Sequence, residues 1–259
     1  MLQKARDLKI RIARQQLTFG TWITLSDPAI AEILSLTGVF EWIVVDLEHT
    51  SISISQACEI IRTIDLSGIS PLVRLTCNDS NLIKRVMDAG AHGIIVPCVV
   101  CADDAKKAVD ATRYPPMGNR GVGLARAQGY GAKFKEYLEW QNNGPIVVVQ
   151  IEHKAALTEL DEILNINGVD AFIIGPYDLS ASMGLAGEFS HPEFEKAVDF
   201  ILATGRRLGI SAGIHIVEPD KDQLSEAIKT GYSFIAYSVD IRMIALSAGT
   251  VSASILERA

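Results

Sequence analysis

Eight short apolar, β-branched runs recur along the chain, at 19–24, 42–46, 71–75, 93–96, 146–151, 171–174, 211–215 and 233–237, with helical periodicity between them. Near-continuous apolar runs, unlike alternating ones, suit strands covered on both faces, as in a parallel sheet flanked by helices. Eight such units predict a closed (β/α)8 barrel over an open doubly wound sheet. The length agrees: residues 1–259 are read as one barrel domain, a size of roughly 250 residues being usual for that architecture.

The intervening stretches carry helix signals. Ser26-Asp27-Pro28 opens a helix with the apolar stripe Ile30, Ile33, Leu34 and Val39, and His191-Pro192 opens another with Phe194, Val198, Ile201 and Leu202. Both are expected outside the barrel. The segment 114–133, with Pro115-Pro116, Gly118, Gly121, Gly123, Gly129, Gly131 and the arginines Arg120 and Arg126, exceeds an ordinary α/β connection. It is expected to be a lid or binding loop, or more plainly a subunit contact. Its Gly118-Asn119-Arg120-Gly121-Val122-Gly123 follows a Pro-Pro turn and not a strand, so no nucleotide site is expected there.

A formal charge of −7 with no basic run argues against nucleic-acid binding. Hydrophobic residues at 48% against 21% charged residues support a full core. The start, through Asp7, has no uninterrupted apolar segment, so no leader and no membrane span are expected, and cytoplasm is the default location. Cys58, Cys77, Cys98 and Cys101 are read as reduced; the Cys98/Cys101 pair lacks the second pair of a zinc site and reads as buried or helix-start cysteines.

Reactive groups of such a barrel belong at the C-terminal strand ends. Trp22, Asp46-Leu47-Glu48-His49, Arg74, Gln150, Glu152, Asp178 and His215 fall there. Glu152 and Asp178, one βα unit apart, can converge on a hard divalent cation, Mg²⁺ or Mn²⁺, or simply cap the helices that follow. His49 is the candidate general base, because an imidazole titrates near neutrality and a carboxylate can fix its tautomer. Arg74 follows an apolar run and needs anionic company, as a structural pair or as a stabiliser of a developing oxyanion. No strand holds or ends in lysine, Lys154 being read as solvent-facing, which argues against a Schiff-base mechanism. His92, His153 and His191 look structural, and His215 remains open.

At these positions the chain resembles the metal-dependent, class II pyruvate aldolases of the HpcH/HpaI family, which include 4-hydroxy-2-oxoheptanedioate aldolase and 2-dehydro-3-deoxyglucarate aldolase. The resemblance runs from Gly20-Thr21-Trp22 through Asp46-Leu47-Glu48-His49, Val73-Arg74, Val86-Met87-Asp88-Ala89-Gly90, Tyr114-Pro115-Pro116-Met117-Gly118-Asn119-Arg120-Gly121 and Gln150-Ile151-Glu152 to Gly175-Pro176-Tyr177-Asp178-Leu179-Ser180. It implies a phosphoenolpyruvate/pyruvate-type TIM barrel with Mg²⁺, Mn²⁺ or Co²⁺ on Glu152 and Asp178. It further implies pyruvate held by Gln150 and the backbone of Tyr177 and Asp178, with Trp22, Gly175 and Pro176 around it. His49 would act as base through water, Asp88 would raise its basicity, Asp46 and Glu48 would order waters at the metal, and Arg74 would stabilise the keto oxygen or enolate. A homo-oligomer, trimer or hexamer, is implied, with the C-terminal helix exchanged between neighbours; its stripe here is Ile244, Ala248, Val251 and Ile255. Tyr177 stands where many relatives have a small residue and Leu47 where some have glycine, beside the aldehyde half of the pocket.

The activity expected is reversible cleavage of a 4-hydroxy-2-oxo acid to pyruvate and an aldehyde. The rivals are a lyase for CoA esters such as malyl-CoA or citryl-CoA, and a barrel that binds a keto acid without turnover.

Overall fold

The computed structural model describes residues 2–256, with side chains described through residue 250. Eight strands form a closed barrel in sequence order: β1 (Thr18–Ile23), β2 (Trp42–Asp46), β3 (Ser70–Arg74), β4 (Gly93–Val96), β5 (Ile146–Ile151), β6 (Ala171–Ile174), β7 (Ser211–Ile216) and β8 (Phe234–Val239). Each pairs in parallel with its neighbours, β8 closing on β1. The sequence runs locate all eight to within two residues at either end.

The helices are α1 (Leu2–Ala13), α2 (Pro28–Leu36), α3 (Ile54–Leu66), α4 (Ser80–Ala89), α5 (Ala102–Thr112), α6 (Phe134–Gln141), α7 (Leu160–Leu164), α8 (Pro176–Ser182), α9 (Pro192–Leu208), α10 (Lys221–Thr230) and α11 (Asp240–Leu256). No described helix is long and apolar enough to cross a membrane.

Strand alternation sorts side chains between the barrel interior and the helix layer. Trp42, Val44, Leu72, Ile146 and Val148 belong to an inner cluster, whereas Ile43, Val45, Val73, Val147 and Val149 pack toward the helices. The lower interior holds Trp42 stacked on Phe234, with centroids 4.0 Å apart and planes within 5°. That stack needs Gly20 opposite, since a Cβ there would sit 2.1 Å from the Trp42 ring. Helix α1 plugs this end with Leu8 and Ile12, and its Lys9 reaches Pro145 O and Asp170, each at 2.7 Å. Two residues along from Val44, Leu72 and Val148, the same phase brings Asp46, Arg74 and Gln150 inward at the opposite, C-terminal end.

Two expectations are corrected. On α2 only Ala31 and Leu34 are buried, while Ile33 and Val39 are each 60% exposed. Ile30, Ile33 and Leu34 instead line an apolar groove opposite Met243 and Ile244 of α11, and Val39 lies beyond the end of α2. By contrast α9 buries Phe194, Ile201 and Leu202 as its stripe predicts.

The segment 114–133 is no lid on its own cavity. It joins α5 to α6 and β5, an αβ connection, so it lies at the N-terminal end of the strands. Side chains pin it there: Arg120, 2% exposed, sits over the Tyr114 ring and donates to Tyr137 Oη, and Arg126 pairs with buried Asp65 and with Ala89 O.

Candidate active site

A cavity of about 370 Å³ opens at the C-terminal end of the barrel, lined among others by Trp22, His49, Arg74, Gln150, Glu152 and Asp178. Most of the strand-end residues singled out in the sequence therefore meet in one place. Asp88 does not join them within the chain: it lies on α4, its charged neighbours are Arg120 and Lys84, and burial raises its carboxyl above the ordinary value. The carboxylate beside His49 is Glu48, with Oε2 3.8 Å from His49 Nε2.

Arg74 is the most constrained group. Asp46 and Arg74 are direct neighbours in the β2/β3 register, and Asp46 accepts from Arg74 Nε at 2.8 Å and Nη2 at 2.7 Å. Glu48 Oε2 lies 3.1 Å from Nη1, and the guanidinium carbon stands 4.4 Å from the centre of the Trp22 ring. The two bonds to Asp46 and the ion pair with Glu48 hold the guanidinium on two sides and leave N–H groups for a substrate oxygen. Asp46 is 2% exposed and also accepts from the Glu48 amide at 3.0 Å, so its carboxylate is consumed in holding Arg74 and the following loop. Burial pushes the Glu48 carboxyl up; Arg74 opposes that rise, and Glu152 and Asp46 add to it.

Glu152 follows β5 and is 5% exposed. Its Oε1 accepts from the Cys98 amide and its Oε2 from Gln150 Nε2, each at 2.6 Å. Both donors are neutral, and among the described residues no cationic side chain pairs with Glu152. Such burial of a carboxylate is costly without a compensating charge. Each oxygen keeps a further lone pair, and the neighbouring Gln150 Oε1 is buried without a partner. Gly175 keeps this cradle open, since a Cβ there would lie 2.7 Å from Glu152 Oε2. The Gly175-Pro176 step ends β6 and starts α8, which places Asp178 in the first helical turn and on the cavity wall. No described group of three or more His, Cys, Asp or Glu side chains converges on one point. The donors at hand, the carboxylates of Glu152 and Asp178 and the unpartnered Gln150 Oε1, are oxygens of the kind a hard divalent cation takes, with remaining positions for water and substrate oxygens.

One contributor lay beyond the sequence reading, and a second had been left open by it. Cys98 is neither buried nor at a helix start: it is exposed, adopts φ +53° after β4, and turns its amide onto Glu152. Partial desolvation and then the Glu152 charge push its thiol up to about 11. Nothing in the sequence marks a backbone donor. His215 proves to line the cavity, stacked on Trp22 at 4.9 Å with planes within 6°, its Nε2 3.0 Å from Ser238 O. Burial lowers its pKa to about 4, leaving a neutral ring. His92 and His153 are structural: the first is buried 3.4 Å from Asp65, the second caps a short helix through Nδ1.

Residues 18–246 match the HpcH/HpaI aldolase/citrate lyase family. The chain belongs to that family. It is 36% identical over 234 residues to a 2-keto-3-deoxy-L-rhamnonate aldolase of Escherichia coli, covering 90% of this chain and 86% of the relative. It is 39% identical over 237 residues to a 4-hydroxy-2-oxo-heptane-1,7-dioate aldolase of Shigella sonnei, covering 90% and 88%. An HpcH/HpaI aldolase/citrate lyase family protein from Burkholderia cenocepacia superposes with a TM-score of 0.90 at 31% identity, over 96% of this chain and 98% of that one. The fold extends to a Mycobacterium tuberculosis protein solved in complex with magnesium and acetate, at 12% identity, TM-score 0.56 and 86% coverage of each chain. Membership makes this barrel a lyase of the aldolase kind, and the HpcH/HpaI resemblance read from the sequence holds.

Proposed function

We propose that this barrel reversibly cleaves a 4-hydroxy-2-oxo acid to pyruvate and an aldehyde, with a divalent cation, Mg²⁺, Mn²⁺ or Co²⁺, held by Glu152 and Asp178. The observation that carries the reading is Glu152 itself: a buried carboxylate lining the cavity, oriented by two neutral donors and with no cationic partner among the described residues. A cation held there would act as a Lewis acid on the keto oxygen of the bound acid. The other roles belong to side chains of this chain. The amides of Tyr177 and Asp178, in the first turn of α8, have no intrahelical acceptor and suit the substrate carboxylate. The unbonded N–H groups of Arg74 suit the charge that would grow on the keto oxygen.

Cleavage takes the proton from the 4-hydroxyl, and the C3–C4 electron pair passes into the pyruvate enolate. His49, at the mouth with Glu48 beside it, is the group positioned to take that proton through a water, and the same proton can return to C3. Trp22 and His215 form a flat neutral wall that keeps Arg74 in place. The active form is a homo-oligomer in which neighbours exchange α11, whose Ile241 and Ile244 are exposed; Val251 and Ile255 of the expected stripe lie outside the described side chains.

The test is exchange of the pyruvate methyl protons in D₂O, followed by NMR with and without Mg²⁺ or Mn²⁺. Cation-dependent exchange that is lost on Glu152→Ala supports the reading. Exchange that persists in EDTA overturns the cation's part, and no exchange under any cation overturns enolate formation.

A further inference from the structure

A second cavity, of about 380 Å³, opens at the N-terminal end of the barrel, between α1 and the turn that leads from α6 into β5. It matches the cavity of about 370 Å³ at the C-terminal end in size, and no residue lines both. Small-molecule sites begin at roughly this volume, with an apolar body and a few polar groups that fix orientation.

The apolar part is preformed. Ile10, 50% exposed, and Ala13 line it from α1, and Trp140 backs it from α6. Trp140 is held in place: it is 2% exposed and packs against Tyr137 and His92, with ring centroids 5.3 and 6.3 Å away. Gly144 closes over its indole, where a Cβ would sit 2.3 Å from Trp140 Nε1.

The polar rim carries one free charge of each sign. Lys9 supplies neither, because its ammonium bonds to Pro145 O and to both oxygens of Asp170, each at 2.7 Å. Arg6 on α1 and Glu139 on α6 are exposed, and among the described residues neither forms an ion pair, with the other or with any third group. A ligand with a single charge would satisfy one side of this rim. A zwitterion satisfies both, and the two rim side chains are long enough to converge on charges attached to one carbon.

We propose that this cavity is a second ligand site, for a free α-amino acid with an aliphatic side chain. Its carboxylate meets Arg6, its ammonium meets Glu139, and its side chain lies against Ile10, Ala13 and Trp140. The bound amino acid ties α1, the plug of this end of the barrel, to α6.

The experiment is calorimetric titration of L-leucine into the full chain, with EDTA present so that no cation at the opposite cavity chelates the amino acid. It is run at two temperatures, because apolar burial changes the heat capacity and binding cannot be thermally silent at both. One site per chain with a Kd of about 1 mM or tighter is expected. Two analogues, 4-methylpentanoate without the ammonium and 3-methylbutylamine without the carboxylate, should each bind at least about tenfold more weakly. Arg6→Ala should then bind L-leucine and 3-methylbutylamine alike, and Glu139→Ala should bind L-leucine and 4-methylpentanoate alike. Ala13→Trp, which fills the gap, should abolish binding. No heat at either temperature overturns the site, and wild-type affinities equal for all three compounds overturn the zwitterion. Affinity for L-leucine unchanged in both charge variants and in Ala13→Trp overturns the location. The lyase reading stands or falls separately, on methyl exchange at the other cavity.

Discussion

Arg74 and Asp46 face each other across neighbouring strands with two parallel hydrogen bonds of 2.8 and 2.7 Å, and the strand register itself sets that pairing. The bidentate geometry fixes the plane of the guanidinium, whose carbon stands 4.4 Å from the centre of the Trp22 ring, on the wall of the cavity.

Asp46→Asn keeps the shape but replaces one accepting oxygen with a donor, so Arg74 keeps Glu48 and loses its fixed plane. The expected result is a fall in kcat of about a hundredfold, with KM for the keto acid changing far less. Steady-state cleavage kinetics check it; an unchanged kcat would show that the orientation of Arg74 is irrelevant to the reaction.

Gly175 is required for space and not for backbone freedom, its φ being −94°. In Gly175→Ala the new methyl group would press on Glu152 Oε2 and Cβ, which lie 2.7 and 2.8 Å from its ideal position. Mn²⁺ affinity, read by titration calorimetry on the folded variant, should fall roughly tenfold to a hundredfold. Wild-type affinity in the variant would remove Glu152 from the cation site.

Much of this was legible before the fold. Strands buried on both faces are written as apolar runs, and the polar residues that interrupt those runs at their ends, Asp46, Arg74, Gln150 and Glu152, could be placed at the mouth from topology alone. Their partnerships could not. That Asp46 belongs to Arg74 depends on register between strands whose partner residues lie 28 apart in sequence, and the Cys98 donor depends on one backbone dihedral. For the segment 114–133 only the lid on its own cavity fails: glycine and proline content reports a loop, whereas the end of the barrel it serves follows from whether it leaves a strand or a helix. Helix α2 departs for a related reason: an apolar stripe does not say which of its residues face the barrel, and Ile33, on the side toward α11, stays 60% exposed within this chain.

Arg126 ties that segment to the barrel through Asp65, which is 5% exposed and otherwise has His92 Nε2 at 3.4 Å. Arg126→Met would leave the buried carboxylate short of its main cation, at a cost of about 3 kcal/mol. A drop in Tm of roughly 6 to 12 °C in calorimetry is expected for a chain of this size. The site lies at the other end of the barrel, so kcat at 25 °C should stay within twofold, which is about 0.4 kcal/mol in barrier height.

His215 gives the acid limb of stability a specific origin. Its ordinary pKa of 6.5 falls to about 4 in the folded barrel because burial disfavours the charged ring, a shift opposed by the bond to Ser238 O. A lowered folded pKa means that the unfolded chain takes up the proton first as pH falls. The contribution is therefore fully present above pH 6.5, declines between 6.5 and about 4, and is flat below that. Its size is roughly 3 kcal/mol. His215→Phe retains a flat ring against Trp22 and removes the titration, so its unfolding free energy should lose less between pH 7 and pH 4.5 than that of the wild type. Asp65 and His92 titrate in both proteins and cancel from the difference. Urea unfolding at the two pH values measures it; equal losses would mean that the ring is already protonated, or already wet, in the native barrel.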